Sequence, residues 1–111
     1  MVVDPAGNLF FADTGNHVIR KISVDGGSAL QTRLNGPQGL AIDSVGALFI
    51  SDTNNSSIRR VSPTGVIETI TAKGQLNTPY AIALDAQGRF YVADSGNRAV
   101  RMLTPQVVPV Q

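Results

Sequence analysis

Three aspartates, each followed seven positions later by an arginine, are the residues whose type and spacing could do chemistry: Asp13 and Arg20, Asp52 and Arg59, Asp94 and Arg101. A carboxylate within reach of a guanidinium can act as a proton carrier, an anion clamp or an ion pair. An amide sits inside each interval, at Asn16, Asn55 and Asn97, so the whole set recurs three times. A set repeated intact answers a need shared by every repeat, and all nine residues are therefore expected to be structural. The aspartates should satisfy free backbone N–H groups at a strand end, and the asparagines should tolerate the left-handed conformation of a tight turn. The arginines should reach a carboxylate in their own or the next unit. His17 is the single histidine, which excludes a histidine metal cluster, and its expected place is a surface loop. As a general base it would need a nucleophile and an orienting group beside it. Cysteine is absent, so disulfides, thiolate metal sites and a cysteine nucleophile are excluded.

The elements that must position these residues are strands joined by tight turns. Asp4, Asp43 and Asp85 are each followed three residues later by glycine, at Gly7, Gly46 and Gly88, in the same register as the Asp/Asn/Arg sets. Successive units are offset by 39 and 42 residues, and the extra three fall between Arg59 and Pro79, where an inter-repeat connection is expected. In the DxxG turns the aspartate can accept backbone N–H bonds while glycine supplies a positive φ, and SPTG at 62–65 repeats that logic. Around these turns lie LFFAD, LFISD and FYVAD, then HVIRKIS, SIRRVS and AVRMLT, giving up to four short strands per unit. No stretch carries a sustained 3.6-residue apolar period, so helices are not expected.

The second strand of each unit is apolar at consecutive positions, which requires cover on both faces. Crossover helices would supply that cover in a parallel sheet, and none is predicted. Twisted antiparallel sheets packed face to face around an axis supply it without helices at a period of about 40 residues. The fold expected is all-β: about three four-stranded propeller blades, near 1–36, 37–78 and 79–111, forming one partial propeller.

GLAIDSVGALFISDTNNSSIRRVSPTG, from Gly39 to Gly65, resembles the repeat pattern of the NHL family, and the resemblance extends over nearly the whole chain. It implies β-propeller blades. Members of that family usually close with about six blades, so the resemblance implies half a ring, sealed by itself as a homodimer or by further blades of a longer chain. Six-bladed relatives include lactonases and lyases that use calcium or zinc in the central channel. Calcium needs several convergent oxygen ligands, and the single glutamate, Glu68, is expected on an outer strand far from the axis. The expected function is accordingly non-catalytic binding or scaffolding of a protein, peptide or glycan, with no cofactor. A piece with no ligand except itself is the other alternative.

Where the units differ, they point to a binding face. The loops TGNHV, TNNSS and SGNRA and the connections NGPQG and NTPYA should share one end of the disc, with His17, Asn54, Tyr80 and Arg98 as its distinguishing side chains. Nucleic acid is disfavoured by a formal charge of +1 and by five of the six aromatics falling in second strands, which leaves Tyr80 as the one stacking platform. No apolar run approaches the ~20 residues of a membrane helix, and MVVDPAG lacks the basic and apolar segments of a secretion signal. A soluble protein is expected, and its compartment stays open.

Overall fold

β-Branched and aromatic residues, punctuated by Asp-x-x-Gly turns, produce strands throughout the computed structural model, which describes residues 1–5, 8–23, 26–30, 34–62 and 67–103. The first sheet runs β1 (Val2–Val3), β2 (Leu9–Asp13), β3 (Val18–Ser23) and β4 (Gly26–Leu30) in chain order. The second repeats it with β5 (Gly39–Ile42), β6 (Leu48–Asp52), β7 (Ser57–Val61) and β8 (Ile67–Thr69). The third holds β9 (Pro79–Leu84), β10 (Phe90–Asp94) and β11 (Ala99–Leu103) among the described residues. Every pairing is antiparallel between sequence neighbours, as expected of up-and-down blades. The SPTG turn and the tail VVPVQ, where a fourth strand of the last unit was expected, lie outside the described residues.

Strand registers correct the placement of the three-residue insertion. Ile22 pairs with Gly27, whereas its counterpart Val61 pairs with Ile67, one residue further on. One extra residue therefore belongs to the turn of the last hairpin, and only two belong to the connection. The repeated DxxG turns close as their chemistry requires: Asp43 Oδ1 accepts Val45 and Ala47 N–H, and Asp85 Oδ1 accepts Gln87 and Arg89 N–H. Gly46 and Gly88 take φ of 92° and 81° at the exits.

Two apolar layers hold the sheets together. Phe10 and Ile19 of the first sheet meet Leu48, Ile50 and Val61 of the second, and Leu34 of the connection packs among them. On its opposite face the second sheet offers Ala41, Phe49 and Ile58 to Phe90 and Val92 of the third, with Leu76 in the position of Leu34. Burying each large side chain contributes about 1.5–3 kcal/mol, so these layers dominate cohesion between sheets. Because the second sheet is sandwiched, β6 is buried at all five residues, as its unbroken apolar run demands. In β10 burial alternates, because its sheet has a neighbour on one side. At Gly39 two sheets approach closely: a Cβ there would lie 2.1 Å from the Tyr80 carbonyl oxygen.

Candidate functional site

Each second strand ends at its aspartate and enters a three-residue 3-10 turn, at Thr14–Asn16, Thr53–Asn55 and Ser95–Asn97. The turn leaves through a residue in the left-handed region, and that residue is His17, Ser56 or Arg98, not the preceding asparagine. The asparagines do different work. Asn16, Asn55 and Asn97 point their amides back and donate to Oδ2 of Asp13, Asp52 and Asp94 at 3.0, 2.9 and 2.8 Å. The same oxygen accepts Nε of Arg20, Arg59 or Arg101 at 2.8, 2.9 and 2.6 Å, so each of these three arginines pairs within its own blade.

The other carboxylate oxygen explains why the aspartate is needed. Asp52 Oδ1 accepts the backbone N–H of Asn35, and Asp94 Oδ1 that of Asn77, both at 2.7 Å. Those amides lie seventeen residues upstream, in the connection that enters each blade, and no side-chain cap is made to the 3-10 turn itself. A reciprocal bond runs from Asn54 N–H to the Asn35 carbonyl and from Gly96 N–H to the Asn77 carbonyl. Aspartate, asparagine and arginine thus form a clip that fastens the second and third blades to their entry segments. Burial alone would raise the Asp94 pKa, but the Asn77 N–H, the Asn97 amide and the Arg101 guanidinium outweigh it and hold the carboxyl below its ordinary 3.8. The Asn16 amide and Arg20 lower Asp13 similarly.

The connection is also tied to the blade before it. Thr14 Oγ1 donates to the Pro37 carbonyl at 2.7 Å, and Thr53 Oγ1 to the Pro79 carbonyl at 2.6 Å. His17 Nδ1 accepts Gly36 N–H at 2.9 Å, and Ser56 Oγ accepts Thr78 N–H at 3.2 Å. His17 is therefore part of a seam between blades, a role that sequence reading did not anticipate. The repeated Leu-Asn-x-Pro at 34–37 and 76–79 was the available signal.

These bonds bring the second-to-third-strand loops and the connections to one end of the molecule. Asn54 is exposed there with its amide on Asn35 Oδ1 at 3.2 Å. Tyr80, one residue past Pro79, is 42% exposed, and Arg98 is exposed at the end of the third turn. Glu68 lies on β8, the outer strand, and faces Arg60 at 3.3 Å. Among the described residues no three His, Cys, Asp or Glu side chains are grouped to hold a metal ion. No helix among them is long and apolar enough to cross a membrane.

A family model described as the teneurin NHL domain matches residues 24–76. Among solved structures, streptogramin B lyase superposes with a TM-score of 0.82 at 20% identity, over 93% of this chain and 36% of that one. Virginiamycin B lyase from Staphylococcus aureus gives 0.74 at 19%, over 99% and 41%. An auxiliary nutrient binding protein from Bacteroides ovatus gives 0.73 at 18%, over 88% and 35%. No curated protein matches significantly. With sheets stacked face to face in chain order, these likenesses define the class: the chain is a set of β-propeller blades. Within that class, the stretch 24–76 is similar to the teneurin NHL domain, in keeping with the NHL resemblance of the repeats. It spans well under half the length of these structural relatives.

Proposed function

We propose that the chain is a non-catalytic binding or scaffolding module that closes its ring by self-association and presents the loop-and-connection end to a protein or glycan. The observation that carries this reading is how the repeated polar groups are spent. Asp52 and Asp94 give both carboxylate oxygens to the clip, and Thr14, Thr53, His17 and Ser56 serve the seams. Side chains left facing solvent at that end, Tyr80 and Arg98 with the outer part of Asn54, offer an aromatic platform and polar rim suited to recognition.

Self-association is supported by the outer face of the third sheet. Val100 is 77% exposed where its counterpart Ile58 is fully buried, and Met102 is 54% exposed. Ala81, Ala83, Tyr91 and Ala93 line a shallow apolar hollow beside them. A contiguous apolar surface of this kind marks an interaction site. Two copies related by a two-fold axis would cover both open faces and complete six blades.

Likeness to streptogramin B lyase favours a second reading, half of a metal-dependent lyase, because that protein shares the blade geometry over most of this chain. Light scattering of the purified chain at micromolar concentration tests the first reading. The mass of two chains is expected. A monomer with a cooperative thermal transition would overturn it and shift weight to the second.

A further inference from the structure

The connection into the second blade carries the one Asn-Gly dipeptide of the sequence, Asn35-Gly36. In such a pair the glycine backbone nitrogen can attack the asparagine side-chain carbonyl, because glycine has no side chain to hinder the approach. The closure is an acyl transfer, and it is helped by a base on the nucleophile and a donor on the carbonyl oxygen. Both stand at this site. Gly36 N–H is bonded to His17 Nδ1 at 2.9 Å, and Asn35 Oδ1 accepts Asn54 Nδ2 at 3.2 Å. Accepting through Nδ1 requires the neutral ring with its proton on Nε2, which is the form able to take a proton. An N–H lies in the plane of its peptide group, so a base bonded to it leaves free the faces from which the nitrogen attacks. The clip holds the Asn35 backbone by its N–H, on Asp52 Oδ1, and by its carbonyl, on Asn54 N–H. Asn35 itself is exposed, so a leaving group there passes directly into water.

The next seam repeats the cradle without the chemistry. Asn77 is held by Asp94 Oδ1 and Gly96 N–H as Asn35 is held by Asp52 and Asn54. Its follower is Thr78, whose side chain crowds the nitrogen, and Thr78 N–H meets Ser56 Oγ at 3.2 Å, a hydroxyl instead of an imidazole. A donor is present on Asn77 Oδ1, from the Thr78 hydroxyl, so the two seams differ in nucleophile and base.

We propose that Asn35-Gly36 is a self-modification site that closes to a succinimide, with His17 as general base and Asn54 as the donor that polarises the carbonyl. A bond forms between Gly36 N and Asn35 Cγ while the Gly36 proton passes to His17 Nδ1. The Cγ–Nδ2 bond then breaks, and Nδ2 departs as ammonia with a proton returned from the imidazolium directly or through water. Water afterwards opens the imide at either carbonyl, leaving aspartate or an isoaspartate whose main chain runs through Cγ. Closure removes the N–H that His17 accepts, and opening leaves a new carboxylate close to that of Asp52. The modification therefore loosens the seam between the first and second blades.

Incubation of the purified chain near neutral pH, followed by mass spectrometry of the peptides containing Asn35 and Asn77, tests it. Loss of ammonia and formation of isoaspartate are expected at Asn35 and not at Asn77. Because glycine alone favours Asn35, the deciding comparisons vary the base and the fold. His17→Ser places at this seam the hydroxyl that Ser56 supplies at the next, on a residue of the same left-handed conformation, so the fold should tolerate it. It is expected to slow the reaction about tenfold or more, and Asn54→Ala to slow it less. Unfolding wild type in urea should also slow it, since base and donor are then lost. Ser56→His combined with Thr78→Gly should make Asn77 react faster than Thr78→Gly alone does. Thermal melts check that each variant folds. An unchanged rate in folded His17→Ser, or a native chain that reacts more slowly than the unfolded one, would overturn the proposal and make the seam a guard of Asn35.

Discussion

Gly39→Ala is expected to destabilise the chain by about 3 kcal/mol or more, the largest effect of any single methyl group added here. The added Cβ would lie 2.1 Å from the Tyr80 carbonyl oxygen, and the obstacle is backbone, which cannot rotate away as a side chain can. Relief requires β9 to move off β5, and that opens the layer holding Phe49, Phe90 and Val92. The reverse change at the matching position, Ala81→Gly, should cost well under 1 kcal/mol, because Ala81 stands on the open face. Denaturant melts of the two variants measure the contrast. Equal sensitivity at both positions would mean that the close approach at Gly39 is not what glycine serves.

Asp94→Asn is expected to cost about 2–3 kcal/mol at neutral pH. An amide oxygen can still accept Asn77 N–H, but the amide nitrogen then faces two donors, Asn97 Nδ2 and Arg101 Nε, where a carboxylate oxygen accepted both. The figure stays below that of a fully buried ion pair because the Arg101 side chain is 43% exposed. The pH dependence has a definite sign. A carboxyl whose folded pKa lies below its unfolded value contributes stability that is fully present above the unfolded pKa and is lost as pH falls through the folded one. Asp94 is shifted in that direction from 3.8, so wild type should surrender this increment below about pH 4. Asp94→Asn should show a shallower decline over the same interval. Thermal melts from neutral pH into acid would read both, and parallel curves would remove Asp94 from the account.

Much of this architecture is legible along the chain because it depends on local chemistry. DxxG turns, unbroken apolar second strands and a repeat of about 40 residues depend on neighbours a few positions apart, and all three appear where they were expected. What eluded sequence reasoning lies in contacts between distant segments. Nothing local distinguishes an asparagine that adopts a left-handed turn from one that donates to an aspartate three residues back, yet Asn16, Asn55 and Asn97 do the latter. His17 reads as a loose loop residue until Gly36, nineteen positions on, is brought to its Nδ1. The NGPQG and NTPYA connections read as variable because their side chains differ. Their clipped groups are mainly backbone amides, which any residue except proline can provide, and carbonyls, which every residue has. Asn54, Tyr80 and Arg98 do reach one end of the molecule, since the clips draw loops and connections together there.

Native-state hydrogen exchange at the Asn35 and Asn77 amides tests the clip most directly. Both residues are exposed in loops, where exchange is ordinarily fast, yet each N–H points at a carboxylate with no solvent-accessible side-chain surface. The account predicts protection comparable to the central strands β6 and β10. Exchange at the pace of open-loop amides such as those of Lys73 and Ala86 would contradict it.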